Sequence, residues 1–461
     1  MANIRSLGRI LAHEGIDDSE PINSSIDAAE LEGRSDATEQ HEILNDAEEI
    51  SSIDTAIEDM VESTDVLEQQ EAIVDPENTG DNGVAPETAE AIQVTVESFR
   101  KRLGLIRTIN WPSRESYKDK NTRIQAGVYC HESVKSFIVD AWKKIVAFFK
   151  SMYAKVKAFV VRIFTATGRL KARSKSLNEK INKTRGEKKE DTFKNKSIAH
   201  AFTDAQGKFN TSNILDQLTF VAKSTPALAD VSRLSSKSLI SAIDIIKKAP
   251  TSTDNDRQKV VGDLNNLTNL IMTKVDVIAN KVNGRKYNKE FSNPKSIAAT
   301  DALPGNRALV FYTVDDQVNG GSNAKSKVLS ISMAEVSLGP VKDIDEEIDT
   351  AETSQMTRIC DLCELVSDSL EKLSKSEEHD DSAIKALEEL SSKLESKLKD
   401  KKNDLISNVI SKDILNEGRK TILVFGRFAS NITLKWSSIA LFGAGKALDY
   451  VAESLSCYEA E

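Results

Sequence analysis

The chain is poor in the residues that organise most secreted and most catalytic domains. Four cysteines in 461 residues, Cys130, Cys360, Cys363 and Cys457, are too few and too scattered for a disulfide framework, so a reducing compartment is expected. Nine prolines and twenty glycines supply few turns, which disfavours the all-β classes. Phe, Tyr and Trp are absent from residues 1–97. No run of about eighteen uncharged apolar residues exists, because the most apolar stretches, 422–425 and 437–444, are separated by Arg427 and Lys435. A membrane span is therefore not expected. The N-terminus MANIRSLGRILAHEG lacks the apolar core of a signal peptide, so secretion by that route is not expected either.

Catalytic signatures are missing as well. There is no HExxH, GxSxG or GxGxxG pattern. Gly443-Ala-Gly-Lys446 imitates the end of a phosphate-binding loop, but Ala440 replaces its first glycine and Ala447 stands where a magnesium-binding hydroxyl belongs. Cys360-Asp-Leu-Cys363 has the spacing of half a zinc site. No second pair accompanies it, and the five histidines are scattered at 13, 41, 131, 200 and 379. The two cysteines read as small buried residues on a helix. No catalytic, cofactor-binding or metal-ligating residue is assigned, no cofactor is implied, and an enzyme is not expected.

What the chain does have is charge segregation. Residues 1–97 hold twenty-six acidic residues against three arginines, a net charge of -23. With so little apolar surface to offset its ordering entropy, this leader is expected to be largely disordered. Two stretches depart from that: Ile4, Leu7, Ile10 and Leu11 could form a short basic amphipathic helix, and Ile50, Ile53, Ile57, Met60 and Leu67 keep helical spacing within an acidic stretch. An acidic amphipathic helix there would complement a basic one and could cover it in cis; a solvated acidic tail is the alternative. Residues 98–185 then sum to +17, within a chain of net charge -10.

The heart of that basic segment is one long amphipathic helix. Ile138, Trp142, Ile145, Phe149, Met152, Val156, Phe159 and Ile163 alternate steps of four and three, which places them along one seam. Lys135, Lys143, Lys144, Lys150, Lys155, Lys157, Arg162, Arg169, Lys171 and Arg173 occupy the remaining face. Burying each large seam residue is worth roughly 1.5 to 3 kcal/mol, so the seam must be covered by something. Three uses compete: packing within the fold or self-association, contact with nucleic acid, and adsorption to an anionic membrane surface.

Beyond it, residues 191–300 read as helices punctuated by Pro226, Pro250 and Pro294. Residues 301–340 hold two β-prone runs, 308–313 and 327–333, around Asn319-Gly-Gly-Ser322, a β-hairpin with a long loop. Residues 341–461 return to helix, with Leu387, Leu390, Leu394 and Leu398 suggesting a coiled-coil arm and Gly426, Gly443 and Gly445 allowing close helix packing. The fold class expected is mostly α and elongated, with a basic segment at 98–190, one small hairpin and a disordered acidic leader.

This layout resembles internal head proteins of large tailed bacteriophages: an acidic leader ending near Glu97, the basic stretch SVKSFIVDAWKKIVAFFKSMYAKVKAFVVRIF, and a helical remainder with a hairpin. The resemblance implies a virion structural protein packaged inside the capsid and present in the host cytoplasm during assembly. It also implies a leader acting as a propeptide, removed by a prohead protease that cuts after small-x-Glu triplets. Such triplets end at Glu30, Glu49, Glu58, Glu87 and Glu115, whereas Glu97 follows Thr95-Val96 and departs from the pattern. The implied partners are other head proteins and double-stranded DNA. The alternatives are a membrane-active, ejected or pore-forming helical protein, and an assembly scaffold.

Overall fold

The computed structural model describes residues 28–80, 83–104, 111–184, 187–203, 208–249, 253–282, 294–315, 328–338, 346–376, 382–399 and 405–458. Helices dominate: α1 (Ala28–Val74), α2 (Pro86–Leu103), α3 (Lys120–Lys183), α4 (Lys196–Phe202), α5 (Thr211–Lys248), α6 (Asp254–Val275), α7 (Thr353–Ser376), α8 (Ser382–Lys399) and α9 (Leu405–Ser456). The strands are β1 (Thr192–Lys194), β2 (Asn280–Lys281), β3 (Ser296–Ala299), β4 (Arg307–Asp315), β5 (Leu329–Ser337) and β6 (Glu347–Asp349). Two units emerge from the contacts, one of residues 1–35 with 56–145, the other of residues 36–55 with 146–461.

In the first unit the chain enters and leaves helices on recognisable signals. Pro86 occupies the first turn of α2, and Gly104 closes it in the left-handed region at φ 60°. The Asp119 carboxylate accepts the amide hydrogens of Asn121 and Thr122 and the Thr122 hydroxyl, opening α3. Those hydrogen bonds, together with Arg123, hold Asp119 below the usual carboxylate range. Aliphatic seams close the interior, with Ile57, Leu67, Ile92 and Val96 buried.

The second unit is built around α5, α7 and α9, which pack on one another. Asn195 caps α4, Asn210 caps α5, and Thr253 with Asp256 forms a reciprocal capping box on α6. Trp436 of α9 is buried and donates its indole N–H to the Thr225 hydroxyl on α5 at 2.8 Å. Helix α9 meets its neighbours through glycines. A Cβ added at Gly426 would lie 2.7 Å from the Phe149 ring. Ile246 presses on Gly418 in the same way, and the Pro304 ring lies on Gly443.

Strands β2, β3, β4 and β5 form an antiparallel meander in that order, and β1 pairs with β6. One sheet face closes over Ile297, Ala299, Ala308, Val310 and Val336. The other sends Phe311 edge-on to Phe428 of α9. With both faces covered, Ala308 to Phe311 are all buried, which explains a continuous apolar run rather than an alternating one.

The mostly α fold and the hairpin expected from the sequence are present, and three expectations are corrected. From Ala28 onward the leader is helical rather than largely disordered; residues 1–27 lie outside the described residues. The entropy argument failed because Ile43, Ile50, Ile53, Ile57, Met60, Leu67 and Val74, all buried, recur on a heptad and supply a seam despite the low overall hydrophobicity. Pro226 does not divide its segment but sits inside α5. Beside it, the Thr225 hydroxyl bonds back to the Val221 carbonyl at 2.7 Å and is anchored by Trp436. The hairpin is part of a four-stranded sheet, because short Ser296–Ala299 adds a strand that too few residues announce. Finally, the stretch read as a coiled-coil arm is helix α8, which packs on α5 and α9 with Leu387 and Leu390 buried. The side chains of Leu394 and Leu398 lie outside the described residues.

The glycine contacts have opposite consequences at two positions. Gly426→Val drives a branched side chain into the Phe149 ring and is expected to destabilise the protein by about 2 kcal/mol. Gly168, on α3, has nothing within 4 Å of an added Cβ. There Gly168→Ala is expected to stabilise by about 0.5 to 1 kcal/mol, both values read by urea denaturation.

Candidate interaction surface and a buried polar layer

All eight seam residues of α3, from Ile138 to Ile163, are buried in the structure. In the first unit, Trp142 directs its indole N–H at the Glu68 carboxylate of α1. In the second, Phe149 stacks on Tyr153 and fills the notch at Gly426. The seam thus packs within the fold, the first of the three uses its sequence allowed.

The basic face is partnered too. Lys155 bonds to Glu49 at 2.7 Å and Arg162 to Asp46 at 2.6 Å, both carboxylates belonging to α1. Lys150 pairs with Glu388 of α8. Lys171 lies between Asp368 and Glu371 of α7, 2.6 Å from each, and Arg173 meets Asp449 of α9 at 2.9 Å. Burial opposes the charge on Lys171, yet its two carboxylate hydrogen bonds hold the ammonium above the usual lysine range. Lys144 donates to the Gly104 carbonyl, and partial burial lowers its pKa. Lys157 lies over the Tyr153 ring. Lys143 and Arg169 are exposed and engaged in further contacts; Lys135 is taken up below. Of the basic residues that the sequence places on one face of α3, Lys150, Lys155, Arg162, Lys171 and Arg173 meet carboxylates of α1, α7, α8 and α9.

Two groups of functional side chains escaped the sequence reading. Arg427 of α9 forms a two-pronged pair with Asp54 of α1, which also accepts from Asn431 at 2.9 Å. The pair is nearly closed to water, with side chains 14% and 13% exposed. Only a long-range contact joins positions so distant in the chain, so no local pattern signalled it. The second group is a polar layer in the first unit. His131 and Lys135 stand seven residues before Ile138 and Trp142, and Glu71 stands fourteen after Ile57; all three occupy seam positions that are apolar one or two heptads away. Nε2 of His131 lies 2.9 Å from Oε1 of Glu71 and 3.8 Å from Oδ2 of Asp75, and Lys135 is 3.8 Å from that Glu71 oxygen. His131 and Glu71 are buried. The signal was there, in a polar interruption of both heptads.

The other sequence motifs resolve simply. Lys446 donates to Asp449 at 3.0 Å inside α9, where a phosphate loop has no room. Cys360 and Cys363 are buried in α7 as expected, and Cys130 is buried in α3. Burial pushes the Cys130 and Cys360 thiols up to about 11 and Cys363 well above its ordinary value. Of the triplet glutamates, Glu58 is exposed in the interior of α1 and Glu49 is half-buried there. Glu87 is exposed in the first turn of α2, and Glu115 is exposed in a short 3-10 turn, Arg114–Tyr117. Glu30 lies in α1, its side chain outside the described residues.

Long helices joined by cross-helix ion pairs, with a small antiparallel sheet, make this a mostly helical protein. A family model for phiKZ-like phage internal head proteins matches residues 27–416, and the chain belongs to that family. It is accordingly a structural protein of the interior of the virion head. Neither the curated proteins nor the solved structures include a match to it.

Two measurements test this geometry. Asp54→Ala removes the two-pronged carboxylate partner of the largely buried Arg427 guanidinium and is expected to cost about 3 kcal/mol, whereas Lys150→Ala, whose pair is solvent-exposed, is expected to cost less than about 1 kcal/mol in the same denaturation series. The raised thiol values fix the sign of an alkaline effect. Because the folded pKa exceeds the ordinary value of 9.0, the stability these thiols contribute is complete below pH 9.0 and falls as pH rises towards about 11. A denaturation midpoint that drops across that window in the native sequence, and less steeply in Cys130→Ala, is the expected result.

Proposed function

We propose that this is a non-enzymatic head protein whose basic helix is held by an acidic arm in cis until the leader is removed, after which it contacts DNA or other head proteins. The observation that supports this is how the partners divide. Asp46, Glu49 and Asp54, all within the leader, neutralise Arg162, Lys155 and Arg427. Lys150, Lys171 and Arg173 are neutralised by residues far downstream and keep their partners when the leader goes. Leader removal therefore uncovers a defined set of cations together with part of the apolar seam. In the first unit it also frees Lys135 from Glu71.

A prohead protease, acting in the host cytoplasm during assembly, would meet an uneven set of triplets. Proteases bind extended backbone, which the interior of a helix does not present. Glu87 follows the non-helical residues 83–85, and Glu115 lies in the link between α2 and α3. Those two are the processing sites this reading favours, over Glu30, Glu49 and Glu58 inside α1. A membrane-active role is the weaker reading, since the seam it would insert is buried, and among the described residues no helix is long and apolar enough to cross a membrane.

Intact mass and N-terminal sequencing of the protein from its native particle test the processing step. A start at Thr88 or Ser116 is expected, and a start at Met1 or Ala2 overturns it. DNA binding is tested separately with the full-length and leader-deleted chains. The deleted chain is expected to bind with a salt slope steeper by about 2.7, the value for three additional phosphate contacts, at Lys135, Lys155 and Arg162 of the basic helix. An unchanged slope removes DNA as the partner and leaves head proteins.

A further inference from the structure

We infer that the polar layer of the first unit is a binding site for a single divalent transition-metal ion, held by Glu71, Asp75 and His131. One imidazole nitrogen and two carboxylate oxygens, one from each residue, lie within 4.8 Å of one another. An ion bonded to such atoms at about 2.0 to 2.2 Å holds them roughly 3 to 4 Å apart, so the separations of 2.9 and 3.8 Å from the His131 nitrogen already approach a coordination shell. Glu71 and Asp75 are four residues apart, at the end of α1 and just beyond it, which presents both carboxylates to one side. Neither the ligand types nor their number depends on residues outside this unit.

The placement adds a second, independent argument. Glu71 and His131 occupy heptad seam positions filled elsewhere by isoleucine, so both are buried where an apolar side chain would pack better. Their side chains are only 3% and 6% exposed. A carboxylate this deep carries a desolvation cost that a bound cation offsets well. Lys135 now supplies part of that countercharge from 3.8 Å. It is 22% exposed and can swing to solvent when an ion arrives. Mixed nitrogen and oxygen ligands suit Zn²⁺, Co²⁺ or Mn²⁺ rather than a thiolate-seeking metal. Three protein ligands leave a further position for water, and the ion would tie α1 to α3 at that point.

The test uses the full-length chain stripped of metal. Titration with Co²⁺ is expected to give one equivalent of bound ion per chain, with visible absorption in the region of nitrogen and oxygen ligands and no thiolate charge-transfer band. Zn²⁺ should displace it. Glu71→Gln and Asp75→Asn, near-isosteric changes that keep the layer polar, are each expected to weaken binding at least tenfold, with His131→Ala weaker still. Lys135→Met should retain or tighten binding, and so should a variant with alanine at 360 and 363. Absence of stoichiometric binding at 100-fold excess overturns the proposal, as does binding unchanged in Glu71→Gln and Asp75→Asn. In either case the layer is a hydrogen-bonded device that sets helix register.

Discussion

Helix α3 imposes the constraint that the rest of the structure answers. One of its faces must leave water, and the other carries a dense run of cations whose mutual repulsion calls for countercharge. Neither demand can be met by the helix itself. In the first unit Glu68 and Glu71 of α1 meet Trp142, His131 and Lys135, while in the second Asp46 and Glu49 meet Arg162 and Lys155. In each unit residue numbers rise on α1 as they fall on α3, so the two helices run antiparallel there. The acidity of the leader and the basicity of α3 are one feature seen from two sides.

This explains what could be read from the chain and what could not. The α3 seam was legible because its period is unbroken and its residues are large. The hairpin was legible because the sequences 308–313 and 327–333 are rich in β-formers on either side of the residues Asn319-Gly-Gly-Ser322. The leader was misjudged because an averaged composition hides position: isoleucines at 43, 50 and 57, seven apart, order a segment that its mean hydropathy would leave unfolded. Short Ser296–Ala299 became a strand only because β4 offered it an edge. Tertiary context, not local propensity, decided that case and Pro226 alike.

The basic residues of α3 are plain in the chain, but the groups that each of them meets are not. A lysine on a helix face has the same local sequence whether it faces water, a carboxylate or a phosphate. Lys171 and Lys155 look alike in the chain, yet one is held by α7 and the other by the leader. That difference decides which cations any loss of the leader would affect. Arg427, a largely buried partner of the leader, lies 373 residues from Asp54 and was invisible for that reason.

The glycines of α9 also constrain how the second unit comes apart. Ile246, Phe149 and the Pro304 ring each occupy a notch that only a residue without a side chain provides, at three heights along one helix. An axial shift of a single residue, about 1.5 Å, would bring each of these groups against a neighbouring turn. Interlocks of this kind resist shear far better than they resist peeling. Under mechanical load α9 should therefore hold against a pull along its axis and yield to one that lifts it sideways, so that this helix behaves as a bolt rather than a slide.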